Sequence, residues 1–447
     1  MHPLKGFNVL ATGIPCAAGL LFAGSAMAVT DQAQSKGFIE DQALTGLLRN
    51  FYFNRDFRKG ASNSYGTERG GKREEWAQGA TLTYASGFTQ GVVGFGLDAY
   101  VRGAIKLDSG GGTTGTQLLP IGDDRRANDS YGTGGGTLKM RVSKTQLNVG
   151  DFILNTPAIY SDVNGRLFSQ IAHGWQLQSD DIDRTSLEAA GFTSGKAGSG
   201  STYDIIQSSY GRREIERYQY AGGKYDFSKN LNASVFVAEA KDQWRLYYFG
   251  VNYTYPIAAN QSLKLSFNSY HQADTGESLA GEFDGFATAF AATYKYGAHS
   301  FTAGVQKNNS DSVLETVAFA DGKASGLAMP MPMQVDEFQG PRERAFLLRY
   351  DVDMAAYGVP GLGFSIRHQI GRGDGSHVDP NGDYVGMWGP DTRHWERNVE
   401  IKYVVQSGPA KNMNVRLRQA TVRENDDQPI RNIDEVRLMV DFPFRIL

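Results

Sequence analysis

Two arginines set the chemistry to be explained. Across 412–423, Asn-Met-Asn-Val-Arg-Leu-Arg-Gln-Ala-Thr-Val-Arg, Arg416 and Arg418 alternate with Met413, Val415 and Leu417. A guanidinium stays charged at working pH and presents a planar fork that matches a carboxylate. In an extended strand, alternate side chains point to opposite faces. The stretch therefore carries a cationic face directly behind an apolar one. A soluble sandwich accommodates this badly, because one of the two faces has no suitable neighbour. A membrane barrel accommodates both, with lipid outside and a water-filled lumen inside.

The same phase places Lys139, Arg141, Lys264, Arg349, Arg367, Lys402 and Arg437 on the inner face, with Asp351, Asp353, Glu400, Glu435 and Asp441 beside them. On the lipid face each arginine or lysine would cost roughly 2–4 kcal/mol at mid-depth, which favours the inward assignment. Two readings of such a lumen stand open. The cations form a ladder that hands an anionic group from one weak site to the next, or they solvate a wet interior and pair with neighbouring carboxylates.

The elements that must position these groups follow from the rest of the chain. Glycine makes up 54 of 447 residues, about 12% against a typical ~7%, and Phe (25) and Tyr (22) are plentiful. A formal charge of -3 is too near zero to point to nucleic acid. Lys5, a mostly apolar run over 14–22 and Ala26-Met27-Ala28 read as a secretory signal peptide over 1–28, leaving one barrel domain over 29–447. The run is too short to span a bilayer. Pro15 before Cys16 argues against a lipid anchor, and removing the segment removes the single cysteine. Losing Lys5 takes the formal charge from -3 to -4. No other window approaches eighteen apolar residues, so an exported chain without transmembrane helices is expected.

From Thr45 onward the alternation has a period of two. Leu47, Arg49, Phe51 and Phe53 oppose Leu48, Asn50, Tyr52 and Asn54; Val93, Phe95 and Leu97 oppose Gly94, Gly96 and Asp98. Leu138, Met140 and Val142 oppose Lys139, Arg141 and Ser143. The pattern recurs through Val235, Phe249, Leu265, Leu348, Ile366 and Ile401 to Leu438. One such segment is weak evidence, since half-buried soluble strands alternate too. A dozen in succession, with tyrosines towards segment ends, predict an all-β transmembrane antiparallel barrel flanked by aromatic girdles. Short connections (86–91, 228–230, 255–261, 357–361, 408–412) alternate with long ones (56–73, 108–135, 156–173, 307–342, 371–394). That is the outer-membrane arrangement, with short turns periplasmic and long loops extracellular.

The insert over 156–173 carries Ile159, Leu167, Phe168 and Ile171, an apolar content unusual for a solvated tip, and is expected to fold into the lumen. A rim hydrolase is the rival from another class: His368, His377, His394, Asp374, Asp379 and Ser376 supply residue types. Their spacing matches no metal motif, and 379–383 is no calcium loop. No catalytic residue, metal or cofactor is expected. A sugar or non-selective diffusion porin shares the architecture but calls for aromatic rows rather than an arginine column, and the long loops also permit an adhesin.

Several stretches resemble the OprD family of substrate-specific outer-membrane channels. They are Gly-Phe-Ile-Glu-Asp (37–41), Leu-Arg-Asn-Phe-Tyr-Phe-Asn-Arg-Asp (48–56) and Ser-Gly-Phe-Thr-Gln-Gly-Val-Val-Gly-Phe-Gly-Leu-Asp-Ala (86–99). Gly-Arg-Leu-Phe (165–168), Arg-Tyr-Asp (349–351), Tyr-Gly-Val-Pro-Gly (357–361), Tyr-Val-Val-Gln-Ser-Gly-Pro-Ala-Lys (403–411) and Glu-Val-Arg-Leu-Met-Val-Asp-Phe-Pro (435–443) extend the resemblance over essentially the whole mature chain. It implies a monomeric barrel of about 18 strands in the Gram-negative outer membrane, in contact with lipid and lipopolysaccharide. It also implies a narrow eyelet and a basic ladder for anionic or zwitterionic carboxylate solutes, namely Lys139, Arg141, Arg349, Arg367, Lys402, Arg416 and Arg418. The eyelet maps to 160–170, with Tyr160, Asp162 and Arg166, and to Asp336 and Glu337, where members taking basic amino acids have an acidic group. Pro332 stands where the family has a serine. Basic amino acids or peptides, cyclic or aromatic carboxylates, and antibiotic passage all stay open.

Overall fold

A strand inside a bilayer must satisfy every backbone N–H and C=O without water, so a spanning sheet has to close on itself. The computed structural model, which describes residues 29–447 except 66–70, 162–164, 321, 323–324 and 430–431, shows that closure. Eighteen antiparallel strands form one sheet. The first six are β1 (Ala43–Phe57), β2 (Lys72–Ala85), β3 (Val93–Ser109), β4 (Ser130–Val142), β5 (Thr145–Phe152) and β6 (Ile171–Ser179). Then come β7 (Thr185–Lys196), β8 (Tyr218–Ser228), β9 (Leu231–Ala240), β10 (Trp244–Ala258), β11 (Gln261–Asp274) and β12 (Asp284–Tyr296). The last six are β13 (His299–Asn308), β14 (Arg344–Asp353), β15 (Leu362–Gly373), β16 (Thr392–Val404), β17 (Asn414–Glu424) and β18 (Ile433–Arg445). Each pairs with the next, and β1 pairs with β18 from Thr45↔Arg445 to Phe57↔Ile433. The signal-peptide expectation for 1–28 lies outside the described residues.

The period-two pattern sorts the two faces. Leu138 is 66% exposed and Leu348 69%, whereas Lys139 and Arg141 are buried. Tyr253, Tyr255, Tyr296 and Tyr403 stand outward and exposed near the short-turn ends of β10, β12 and β16, where an aromatic girdle belongs. Strand β1 departs from the apolar-outward rule. Phe51 and Phe53 are inside and fully covered, while Leu48, Asn50 and Tyr52 are outside. The reason is the inward loop described below, which makes this part of the lumen dry.

Connections of two to nine residues on one rim alternate with mostly longer ones on the other, as at 58–71, 110–129, 153–170, 309–343 and 374–391. A further long loop, 197–217, has no signature in the sequence because its Gly- and Ser-rich start gives no period. The long loops fold into the barrel. Ile206–Ser208 pairs with both Glu214–Ile215 and Val317–Phe319, a small sheet inside the larger one. The resulting core, with Phe152, Ile159, Phe192, Tyr218, Trp244, Tyr270 and Phe319, leans on the wall from β5 to β12. The wall from β14 to β17 keeps its polar lining.

Candidate functional site

The lining of that wall follows from register. Arg349 lies opposite Arg367, Glu400 opposite Arg418 and Lys402 opposite Arg416. Gln334, Arg349, Ser365, Arg367, Asn398, Glu400, Arg416 and Arg418 line one cavity of about 220 Å³. Like charges directly opposite in a sheet oppose its stability, so the neighbours that relieve them matter. Arg349 holds Asp351 through a two-pronged contact, Nε to Oδ2 at 2.8 Å and Nη2 to Oδ1 at 2.6 Å. Arg367 donates to Asn398 Oδ1 at 2.8 Å and to the carbonyl of Pro332. Glu400 stands between the last two cations, 2.8 Å from Arg418 Nε and 3.5 Å from Arg416 Nε. Neither Nε makes a hydrogen bond of good geometry, although both are buried. The cavity lining thus holds four guanidinium groups and a single carboxylate.

The other ladder candidates are placed differently. Lys139 Nζ lies 2.5 Å from Asp98 and 4.9 Å from the Phe88 ring centre. Arg141 stacks at 3.9 Å on the same ring and donates to Gln32 Oε1 at 3.0 Å. The segment before β1 supplies that lid. Its short helical turn Gln32–Gln34 is capped by Asp31, and the Gln32 side chain reaches the carbonyls of Thr89 and Gly91. These two cations are therefore covered at the short-turn rim, not open to the cavity. Lys264 shares the inward row with Thr254 and Thr293 but stands apart from the cavity. Asp353 caps the turn Met354–Tyr357 through Ala355 N–H instead of joining the lumen charges.

The described parts of the loop at 153–170 are tied to different sides of the lumen wall. At one end the Pro157 carbonyl accepts from Tyr270 of β11 at 3.0 Å. At the other, the carbonyl of Arg166 accepts from Arg49 of β1 at 3.0 Å, and that of Ser169 from Arg102 of β3 at 2.6 Å. Leu167 fills the space above Gly79, where a Cβ would lie 2.9 Å from its Cγ. The Arg166 and Arg437 guanidinium groups stack on Phe53 at 5.1 and 4.8 Å. Tyr160 exchanges backbone hydrogen bonds with Gly326, joining this loop to 309–343. Asp162 lies outside the described residues.

The second loop is fastened to β16. Glu396 accepts the backbone N–H groups of Gln334, Val335 and Asp336. Asp336 Oδ2 lies 2.6 Å from His394 Nδ1, and His394 Nε2 meets Glu343. Phe338, in the left-handed backbone region at φ 53°, stacks on the His394 ring at 4.2 Å. Burial would raise the Asp336 carboxyl, but the His394 charge beside it holds it below the usual carboxylate range. Asp336 is thus committed to the loop's attachment, with its carboxylate turned from the passage to His394. Glu337 is half-buried next to it. Arg102, His394, Glu343 and Glu396 were not singled out as anchors from sequence. Arg102 was legible there, since Val101 and Gly103 flank it in outward phase; the partners of the other three depend on a loop that no period describes. The residue types raised for a hydrolase are dispersed: His394 is in this buried clamp, His368 packs against Trp395, and Asp374, Ser376 and His377 close a turn in 374–391.

A closed 18-strand barrel with an apolar exterior, a charged lumen and loops folded within it defines an outer-membrane channel. Residues 36–446 match the family described as outer membrane porin, OprD family. The chain is 41% identical over 427 residues to Porin D of Pseudomonas aeruginosa, covering 94% of each. It is 32% identical over 418 residues to porin-like protein GalP of Pseudomonas putida, covering 93% of this chain and 95% of that one. Among solved structures, that of P. aeruginosa OprD superposes with a TM-score of 0.81 at 38% identity, covering 94% of this chain and 99% of that one. P. aeruginosa OpdK with vanillate gives 0.81 at 31% identity, with 92% and 100% covered. The chain belongs to the OprD family of outer-membrane porins, and its place is the Gram-negative outer membrane.

Proposed function

We propose that this porin takes up small carboxylate-bearing solutes selectively and passively, along the arginine wall from β14 to β17. The observation that carries the reading is the 220 Å³ cavity lined by Arg349, Arg367, Arg416 and Arg418, with Glu400 the single carboxylate of the lining and Asp351 paired to Arg349 beside it. With Asp351 paired to Arg349 counted in, four guanidinium groups against two carboxylates leave a formal charge of +2. In a narrow lumen that surplus concentrates anions and offers successive two-pronged sites for a carboxylate. Lys402, opposite Arg416, extends the row towards the short-turn rim, and Tyr160, Arg166 and Glu337 stand on the two loops that narrow the passage. Lys139 and Arg141, covered by Phe88 and Gln32, serve the ladder less directly.

OpdK was solved with vanillate, an aromatic carboxylate; a cyclic or aromatic acid and a zwitterionic amino acid both suit an arginine wall. The sugar-porin alternative asks for exposed aromatic rows, whereas Tyr218, Tyr220, Tyr248 and Tyr270 on the inner face are buried beneath the loops. On its outside the barrel would meet lipid and lipopolysaccharide as a single-chain pore. The test is flux of benzoate, lysine and glucose into proteoliposomes containing wild type or the Arg416→Ala/Arg418→Ala double variant. Loss of benzoate and lysine flux with glucose flux retained is expected. Equal flux of all three in both proteins refutes the carboxylate reading.

A further inference from the structure

We infer that Glu400 is an internal competitor for the solute's carboxylate, a residue that sets how long an anion dwells on the arginine wall. The inference rests on the carboxylate reading above and adds a specificity residue to it. Among the described residues lining the cavity, Glu400 is the single carboxylate. Its two oxygens are turned to different cations, Oε1 to Arg416 and Oε2 to Arg418. Its cross-strand neighbours are Ser365 on one side and Arg418 on the other, so of the two only Arg418 offers it a charge. The Arg349 and Arg367 charges have their own partners in Asp351, Asn398 and the Pro332 carbonyl.

The geometry is that of a shared pair, not a closed one. Glu400 spans two guanidinium groups, one at 2.8 Å and one at 3.5 Å, and neither Nε has a good hydrogen bond. Its side chain is about a quarter exposed, with Arg416 and Arg418 at 17% and 16%, so all three reach the water of the cavity. An arriving carboxylate presents the same two oxygens to the same forks. It gains the Nε side of the Arg416 or Arg418 fork only by displacing Glu400, and Glu400 returns as it leaves. Four guanidinium groups without such a competitor would hold an anion strongly. Conduction demands sites weak enough to release what they bind. Glu400 supplies the release step from within the wall.

The experiment compares wild type, Glu400→Gln and Glu400→Asp in planar lipid bilayers, with benzoate as the probe and dwell time of its current blockades as the readout. Glu400→Gln should lengthen the dwell about 1.5- to fivefold, the range expected for a partly screened ion pair, and shift reversal potentials in KCl towards anion selectivity. Glu400→Asp keeps the charge but draws it back by one methylene, so an intermediate dwell is expected; it also serves if the glutamine variant does not fold. Unchanged or shorter dwell in a folded variant overturns the inference. Where Arg416→Ala/Arg418→Ala abolishes blockade but the Glu400 variants leave it unaltered, the competitor idea alone falls. Absence of benzoate blockade in wild type overturns both it and the carboxylate reading.

Discussion

His394→Ala tests how the inward loop at 309–343 is held. His394 sits between two carboxylates, Asp336 on Nδ1 and Glu343 on Nε2, with their side chains 8% and 2% exposed and its own 1%. With an acidic partner at each nitrogen, the ring carries charge: Nε2 donates to Glu343, and Nδ1 makes an ion-pair contact with Asp336. Truncation leaves two buried carboxylates facing an empty space. Removing one partner of a buried pair typically costs about 3–5 kcal/mol, because the remaining charge is uncompensated. The barrel's backbone ladder is untouched, so the cost falls on the local closed state of the loop. On that scale the open population rises about a hundred- to several-thousand-fold. The Glu396 contacts to Gln334, Val335 and Asp336 and the Asn308 contacts to Gln339 and Gly340 persist, which confines the release to 337–338 and 341–343. Limited proteolysis should show new cleavage there, and single-channel traces should become noisier with higher mean conductance. Acidification should partly rescue the variant, since protonation neutralises a buried carboxylate that has lost its counter-charge. A protease-resistant loop with wild-type conductance at neutral pH would refute this account of the clamp.

Other expectations follow from the same structure. In the wild type, Asp336 has a depressed carboxyl, so its contribution is present above the ordinary carboxylate range and is lost only as pH falls through the lower folded value; loop protection should persist through about pH 4 and fail in stronger acid. Gly371→Ala places a Cβ against Glu343 Oε1 and His394 Nε2, and should reproduce the His394→Ala proteolysis pattern in milder form. Glu337→Gln should reduce lysine entry while leaving benzoate flux unchanged; an equal drop in both would mean loop collapse in place of an acidic eyelet. Leu348→Arg, on the lipid face at mid-strand, should lower barrel stability in urea titrations by roughly 2–4 kcal/mol, whereas a change well short of that range would place Leu348 outside the apolar band.

The sequence alone determined the wall of this protein. A period of two is built into any strand, so Leu138 against Lys139 or Leu417 against Arg416 assigns inside and outside wherever lipid lies beyond. The alternation of short and long connections likewise orients the barrel. The interior was decided by tertiary structure. Phe51 and Phe53 carry the same alternation as the lipid-facing residues, yet they turn inward because Arg166, Leu167 and Phe168, more than a hundred positions along the chain, dry that part of the lumen. Lys139 and Arg141 match Arg416 and Arg418 in type and phase, yet Gln32 and Phe88 cover the first pair while the second faces a cavity. Asp336 and Glu337 are neighbours in sequence, but only the fold turns one of them to a histidine on β16. Strand pattern is local and repeats every two residues; access to the lumen depends on loops whose contacts are distant and aperiodic.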